Sequence, residues 1–509
     1  MFSAALRHQA QTRPEAPFLL FGDDVVSWGR TADVVARTAT LLESRGVRPG
    51  SRVMLAADNS PSFLYLWFAL RWLGATCVPL HTQATGTAIG QMITDADLSH
   101  VVGDDALLPR VTAVAPWLTD NAVTFADWRA LEAAVTDLPP RRSEHTAASE
   151  ECNILYTSGT TGAPKGVVLP NEAFLSGGRE LASALEVTAQ DRILLGLPLF
   201  HTNPQVYAIM VALNTGCSVA LLPRFVAAEF LDAAARYEAT GFTYVGTVLS
   251  LLAMQPGPGT PHRLRFCVGG GAPEHVWREV EDRLGIAVHE LYGMTETGGW
   301  LTANRVGARR RGSCGTVRPD MQCAILDAED EVLATGEIGQ IAVRPSRPNV
   351  MFHAYHARPE LTLQQWHNAW FHTGDLGELD ADGYLYFRGR LDDVIRRGGE
   401  NISPTDVEAV LSQHPLITEV AVVGVPDEVM GEEVKAVIVP LPGFDPLSVR
   451  NHLQDRLPRF AWPRYVELRE QLPKTPTQKI QARELRVHHD DDIDLRAVTT
   501  PNQHHETNP

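Results

Sequence analysis

The chain reads as an α/β protein with a smaller α+β unit towards its C-terminal end, and three observations predict this. Short apolar strands alternate with helical stretches as far as residue 310, the pattern of mostly parallel sheets covered by helices. From residue 311 the strands become short, alternate in polarity and are broken by glycine turns, as in a small barrel or an antiparallel sheet. Beyond residue 393, helix, hairpin and helix follow one another in a compact α+β order.

Each element has a local reason. Residues 31–46 place apolar side chains at helical spacing and stop at Gly46, a good C-cap. SRVMLAAD (51–58) follows as a buried strand, PSFLYLWFALRWLG (61–74) as a helix and ATCVPL (75–80) as a strand. The strand series continues through SHVVGD (99–104), ILYTS (154–158), RILLGLPL (192–199), SVALLP (218–223), TYVGT (243–247), RLRFCVGG (263–270) and AVHELYG (287–293). DADGYLYFRGR (380–390) is a hairpin signal through Asp382-Gly383. VEAVLSQHP (407–415), the long pair within 419–440 and LSVRNHLQDRLP (447–458) then predict helix, hairpin and helix. The expected organisation is a large domain over 1–389, with α/β subdomains over 1–310 and a barrel-like part over 311–389. A boundary falls at 390–393, a small domain covers 394–488, and the polar stretch 489–509 is expected to be disordered.

Composition narrows the function classes. With 509 residues, 21% charged and 44% hydrophobic, the chain can bury large cores in two or more domains. A net charge of −17 argues against general binding to nucleic acid or anionic membrane. The apolar run Phe63–Leu70 is cut by Arg71 and is too short to span a bilayer. Six cysteines (Cys77, Cys152, Cys217, Cys267, Cys314, Cys323) form no CxxC pair or metal spacing. With no secretory signal visible, they predict buried thiols and a cytoplasmic location.

Of 44 basic residues only four are lysine: Lys165, Lys435, Lys474 and Lys479. Lysine offers a compact, movable ammonium where arginine offers a rigid planar fork, so its retention is informative. Lys165 closes YTSGTTGAPKG (156–166), where glycines let the backbone approach a polyanion and hydroxyls, N–H groups and lysine donate to phosphate oxygens. The loop is not a Walker A motif, because Gly162 is followed by Ala-Pro-Lys. Lys479 sits in PKTPTQKI (473–480).

YTSGTTGAPKG resembles the phosphate loop of the adenylate-forming superfamily of acyl-CoA synthetases, nonribosomal-peptide adenylation domains and luciferases. VGGGAP (268–273) is similar to its adenine-side loop, LYGMTET (291–297) to its nucleotide and magnesium motif, residues 371–408 to its ribose segment, hinge and start of the mobile domain, and PKTPTQKI to its catalytic-lysine loop. The resemblance implies two helix-covered, mostly parallel sheets, a small β-barrel and a mobile C-terminal domain. It also implies that Thr157, Ser158, Gly159, Thr160, Thr161 and Lys165 cradle ATP phosphates. Tyr292 would stack on adenine against Gly270, Gly271 and Ala272; Thr295 would bond the α-phosphate and Glu296 would hold Mg²⁺. Asp375, helped by Arg390, would bind the ribose; Lys479 would touch the reacting carboxylate and α-phosphate. Asp392 matches the hinge, and Gly398 and Gly399 the face that shapes a CoA tunnel after rotation.

One residue departs from that pattern: Gln478 stands before Lys479 where glycine is common. If the position needs positive φ, glutamine would strain or redirect the loop, so adenylation is the less secure half-reaction. His201, in PLFHTNPQ, reads as a satisfied core histidine or as a residue lining the acyl site. It stands where amino-acid adenylation domains carry aspartate, which disfavours an α-amino acid. Gly246, Gly269 and Gly270 read either as room for a bulky acyl body or as sites of close backbone approach. Residues 200–225 with IRRGGENIS look most like the carnitine/crotonobetaine-CoA ligase-like group. The expected activity is an AMP-forming ligase that joins a carboxylic acid to CoA through acyl-AMP. The alternatives are an adenylating enzyme that loads a carrier protein, one half-reaction beside a partner ligase, a nucleotide-binding regulator and, least favoured, a luciferase-like oxygenase. The sequence is silent on the acid and on the oligomeric state.

Overall fold

The computed structural model describes residues 2–143, 147, 149–157, 164–255, 261–398, 400–454, 456–474, 480–489 and 491–496. The chain splits into two compact units, one of residues 1–324, 342–373 and 379–386, the other of residues 325–341, 374–378 and 387–509.

The first unit holds two large sheets. One has seven strands in the order Ala354–Tyr355, Lys165–Pro170, Glu151–Thr157, Thr76–Pro79, Arg52–Ala56, His100–Asp104, Ala122–Phe125. The other has nine, in the order Thr316–Val317, Thr302–Ala303, Ala287–Tyr292, Phe266–Gly270, Gly241–Val245, Arg192–Leu195, Ser218–Leu221, Pro17–Phe21, Asp24–Ser27. Both are parallel through their central strands; the nine-stranded sheet is antiparallel at both ends and the seven-stranded sheet only at the end formed by Ala354–Tyr355, Lys165–Pro170 and Glu151–Thr157. The predicted strand over 192–199 ends at Leu195, because 196–201 leaves the sheet as the loop that carries His201.

Helix Pro61–Leu73 is apolar all round because every one of its residues is buried, as a helix packed on all sides requires. Gly74 ends it in the left-handed conformation. Arg71, inside that helix, is fully buried yet keeps its charge among acceptors: the carbonyls of Ala75 and Glu151 and the Asn171 side chain. Helix Trp28–Ser44 starts where the Ser27 hydroxyl accepts the Arg30 N–H at 3.2 Å, a side-chain cap.

Between 321 and 390 the chain forms the expected short strands, Met321–Leu326, Gly339–Pro345, Ala354–Tyr355, Trp366–His367, Trp370–Leu379 and Leu385–Arg390. At the predicted turn the Asp380 carboxylate accepts the N–H groups of Asp382 (2.9 Å) and Tyr384 (3.0 Å), and Gly383 takes φ 80°.

In the second unit, strands Ile417–Asp427 and Gly431–Pro440 form the long hairpin at the heart of a six-stranded sheet, and helices Pro404–Leu411 and Ser448–Leu453 flank it in sequence. The expectation of disorder over 489–509 needs correcting for residues 491–496, while residue 490 and residues 497–509 lie outside the described residues. Ile493–Asp494 is a strand antiparallel to Tyr465–Leu468, and Leu495 is buried in the core of the unit. Polarity misled the reading, because the stretch is held by ionic contacts. The buried Lys435 ammonium donates to the Val487 carbonyl at 2.6 Å and pairs with Glu467 at 2.7 Å and Asp492 at 2.8 Å. Lys435→Met would leave two carboxylates facing an apolar side chain. It is expected to cost about 3–5 kcal/mol in the unfolding of this unit, measured by urea denaturation.

Candidate active site

The motif residues converge because of strand order. Strands Ala287–Tyr292, Phe266–Gly270, Gly241–Val245 and Arg192–Leu195 are neighbours and parallel, so their carboxyl ends line one edge of the nine-stranded sheet. Tyr292, Gly270 with Gly271 and Ala272, Gly246 and the His201 loop all leave the sheet at that edge. In open α/β sheets this is where ligands bind, since helices cover both faces and only the strand ends are left.

The glycines of this edge are required by the backbone. A Cβ on Gly246 would stand 1.9 Å from the Gly271 carbonyl oxygen, and one on Gly269 2.1 Å from that of Tyr244. Close approach therefore accounts for both residues, and room for a bulky acyl body is not needed to explain them. Beneath the loop lies Glu290, which the sequence reading passed over. Its carboxylate accepts the Gly271 N–H at 2.6 Å, the Ala272 N–H at 3.2 Å and the Tyr244 hydroxyl. An acid inside the apolar strand AVHELY was the available signal, because a buried carboxylate must have donors. Burial pushes its carboxyl up to about 8, opposed by those three donors.

The phosphate side is built from the seven-stranded sheet. Lys165 opens strand Lys165–Pro170 opposite Thr157, whose buried hydroxyl has no hydrogen-bond partner among the described residues. The Lys165 ammonium lies 3.2 Å from Oε1 of Glu296, which is 3% exposed in the 3₁₀ turn Thr295–Thr297. Tyr355 completes the group: its hydroxyl is 2.9 Å from Lys165 Nζ and 2.8 Å from Glu296 Oε1. Nothing in the local sequence FHAYHARP marks Tyr355; a strand pairing across nearly two hundred residues brings it there. One buried carboxylate beside a lysine suits Mg²⁺, which takes one or two carboxylates together with phosphate oxygens. Ser158, Gly159, Thr160 and Thr161 lie outside the described residues.

The two sheets also meet at an aromatic cluster. The rings of Phe200 and His201 are 4.5 Å apart, and His81, which follows strand Thr76–Pro79, lies 4.6 Å from Phe200 and 5.7 Å from His201. His201 is half-buried there, at the rim of the core. Burial first, then the Arg110 charge, keeps the His81 imidazole below its ordinary value. Thr202 carries the cluster to the nucleotide motif, its hydroxyl 3.1 Å from that of Thr295. Gln205–Met210 then forms a π-helical turn, a departure from α-geometry common beside functional sites.

In the second unit Arg390 Nε lies 3.4 Å from Asp375 Oδ1, so these two predicted ribose-side residues are brought together. Asp392 is exposed in the 3₁₀ turn Leu391–Asp393, and its carbonyl accepts from Arg486 at 3.1 Å. Gly398, at φ 57°, turns strand Ile395–Arg397 into Glu400–Ile402. Gly399, Gln478 and Lys479 lie outside the described residues; the flanking Lys474 and Ile480 form a β-bridge.

With this geometry in place, comparison with known proteins settles the class. The AMP-binding enzyme family matches residues 6–355 and the AMP-binding enzyme C-terminal domain residues 406–479, so the chain belongs to the AMP-binding enzyme family. It is 31% identical to the crotonobetaine/carnitine–CoA ligase of Salmonella paratyphi A, over 90% of this chain and 93% of that protein. Among solved structures it is similar to ATP-bound MatB of Rhodopseudomonas palustris, at a TM-score of 0.89 and 30% identity over 96% of this chain and 98% of that one. It is also similar to the o-succinylbenzoate CoA synthetase MenE of Bacillus subtilis in complex with its acyl-adenylate, at a TM-score of 0.85 and 27% identity over 95% and 98%.

Glu290 yields a pH prediction. Its folded value, about 8, exceeds the ordinary 4.5, so the folded state holds the proton more tightly than the unfolded chain. Its contribution to stability is present at low pH and is lost as pH rises from 4.5 through about 8. Glu290→Gln is expected to flatten that slope, so its Tm should gain on wild type between acid and alkaline buffers in a thermal-melt series.

Proposed function

We infer that this protein is an AMP-forming acid–thiol ligase acting on a carboxylic acid other than an α-amino acid. The observation that carries the reading is the pair of half-buried Lys165 and buried Glu296 beside Tyr355, in a chain whose adenine-side loop and Tyr292 share one sheet edge. In the first half-reaction a substrate carboxylate oxygen attacks the α-phosphorus of ATP, the bond to the β-phosphate breaks, and acyl-AMP and pyrophosphate form. In the second, the CoA sulfur attacks the acyl carbon and AMP leaves. Two anions must meet in the first step, so fixed positive charge that strengthens where charge develops supplies much of the rate.

The chain's own residues divide that work. Lys165 and the hydroxyls from Thr157 onward hold the outer phosphates, and Thr295 bonds the α-phosphate. Tyr292 stacks on the adenine against Gly270–Ala272, while Asp375 with Arg390 takes the ribose. Glu296 would hold Mg²⁺, which supplies positive charge to the phosphate oxygens. Lys479 neutralises the reacting carboxylate and α-phosphate. His201, with His81 and Phe200, borders the acyl site; none of the three carries negative charge, which argues against a substrate ammonium. Rotation of the C-terminal domain about Asp392 would withdraw Lys479 and bring Gly398 and Gly399 to the CoA tunnel. No cysteine is needed as a nucleophile: burial pushes the Cys152 thiol up to about 11 and that of Cys217 up to about 12. All six are free thiols, and among the described residues no helix is long and apolar enough to cross a membrane. The free thiols support a cytoplasmic location.

The test is to incubate the protein with ATP, Mg²⁺, CoA and a panel of short, aryl, long-chain and polycyclic acids, and to follow acyl-AMP and acyl-CoA separately by mass spectrometry. Lys479→Ala is expected to lower acyl-AMP formation roughly 10²–10³-fold while supplied acyl-AMP is still converted to acyl-CoA. Conversion of supplied acyl-AMP alone by wild type would mean that the chain runs only the second half-reaction. Thioester formed on a holo-carrier protein but not on free CoA would reassign the acceptor.

A further inference from the structure

Tyr355 has no role in either half-reaction above, yet its hydroxyl bonds both charged groups of the phosphate side, Lys165 and Glu296. It is 2% exposed, and its strand is fixed on two sides. Tyr355 sits opposite Val167 in the antiparallel ladder, while the Phe352 N–H donates to the Glu296 carbonyl at 2.8 Å. Side chains two apart on a strand share a face, so Lys165 stands on the same face as Val167, the residue facing Tyr355. The hydroxyl has one proton. It accepts from Lys165 Nζ at 2.9 Å and donates to Glu296 Oε1 at 2.8 Å, while the ammonium lies 4.2 Å from the ring centroid.

We propose that Tyr355 is a positioning residue that ties Lys165 to Glu296, so that the phosphate-binding cation and the metal-binding carboxylate act as one unit and metal and nucleotide enter together. The proposal rests on the roles of Lys165 and Glu296 given above. Before nucleotide arrives, Glu296 Oε1 already faces an ammonium at 3.2 Å and a phenol proton. A lone dication approaching that oxygen meets the Lys165 charge at contact distance. Polyphosphate draws the ammonium away, and the freed carboxylate, still oriented by the phenol, takes the metal. Each ligand therefore favours the other, and the coupling is reciprocal.

Calorimetry on the full-length wild type and Tyr355→Phe tests this with three titrants: Mg²⁺ alone, ATP with chelator, and MgATP. Wild type should bind MgATP more tightly than metal-free ATP and give no saturable Mg²⁺ isotherm. In Tyr355→Phe the gain in ATP affinity that Mg²⁺ brings should shrink about 10- to 100-fold, the weight of one hydrogen bond to a charged group, with metal-free ATP affinity nearly unchanged. An unchanged gain would overturn the proposal even if the variant were less stable or bound ATP more weakly overall, because a merely structural residue would lower both affinities alike. Lys165→Met provides a second measurement. With its resident cation gone, Glu296 should bind Mn²⁺ without nucleotide roughly tenfold more tightly than wild type, read from the spectrum of free Mn²⁺ by electron paramagnetic resonance. Equal or weaker Mn²⁺ binding would overturn the coupling. Failure of wild type to bind ATP in any form would reject the nucleotide-site reading itself, and the proposal with it.

Discussion

A single buried carboxyl group sets the geometry of the nucleotide edge. Glu290 accepts from two successive backbone N–H groups after strand Phe266–Gly270 and from the hydroxyl of Tyr244 on the next strand. Three neighbouring strand ends are thereby pinned relative to one another. The Asn203 side chain extends the linkage, donating to the Tyr244 carbonyl at 2.9 Å, and so brings the His201 loop under the same control. Without such a tie the loops would be ordinary surface turns, free to drift by the ångström that separates a productive from an idle phosphate geometry. The cost is a carboxyl buried among apolar strands, which only a full set of donors makes tolerable.

The same economy governs the lysines. Arginine fills nearly every basic position, and lysine persists where a compact ammonium must fit. Lys435 satisfies one carbonyl and two carboxylates at once, a tetrahedral task for which a planar fork is poorly shaped. Lys165 serves a different end, since its ammonium can move between a carboxylate and an incoming phosphate. Lys474, whose backbone bridges Ile480 across the Lys479 segment, meets Glu419 at 2.7 Å.

What could be read from the sequence, and what could not, follows from the range of the interactions. Alternating strands and helices announce parallel sheets because each unit is local, and Glu296 and Lys165 are legible because they sit in short strings whose chemistry is self-contained. Tyr355 is invisible for the opposite reason: its meaning comes from pairing with a strand far upstream. Glu290 lies between the two cases, since an acid in an apolar strand is a local anomaly whose partners are distant. Residues 491–496 misled because polarity was taken for disorder, whereas the charges there are paired, Asp492 with the buried Lys435, Asp494 with Arg464 and Arg496 with Glu433. Gly246 was ambiguous until a neighbouring carbonyl oxygen was seen to occupy the space of its missing side chain.

The short strand Ile493–Asp494 has a consequence for the life of the protein in a crowded cell. It lies along strand Tyr465–Leu468, which would otherwise form the rim of the small sheet with its hydrogen-bonding groups open to any passing chain. An uncovered rim is a template for aggregation, and a two-residue cover is too brief to become a template in its turn. Ile493 and Asp494 thus close the Tyr465–Val466 part of that rim to pairing with another chain.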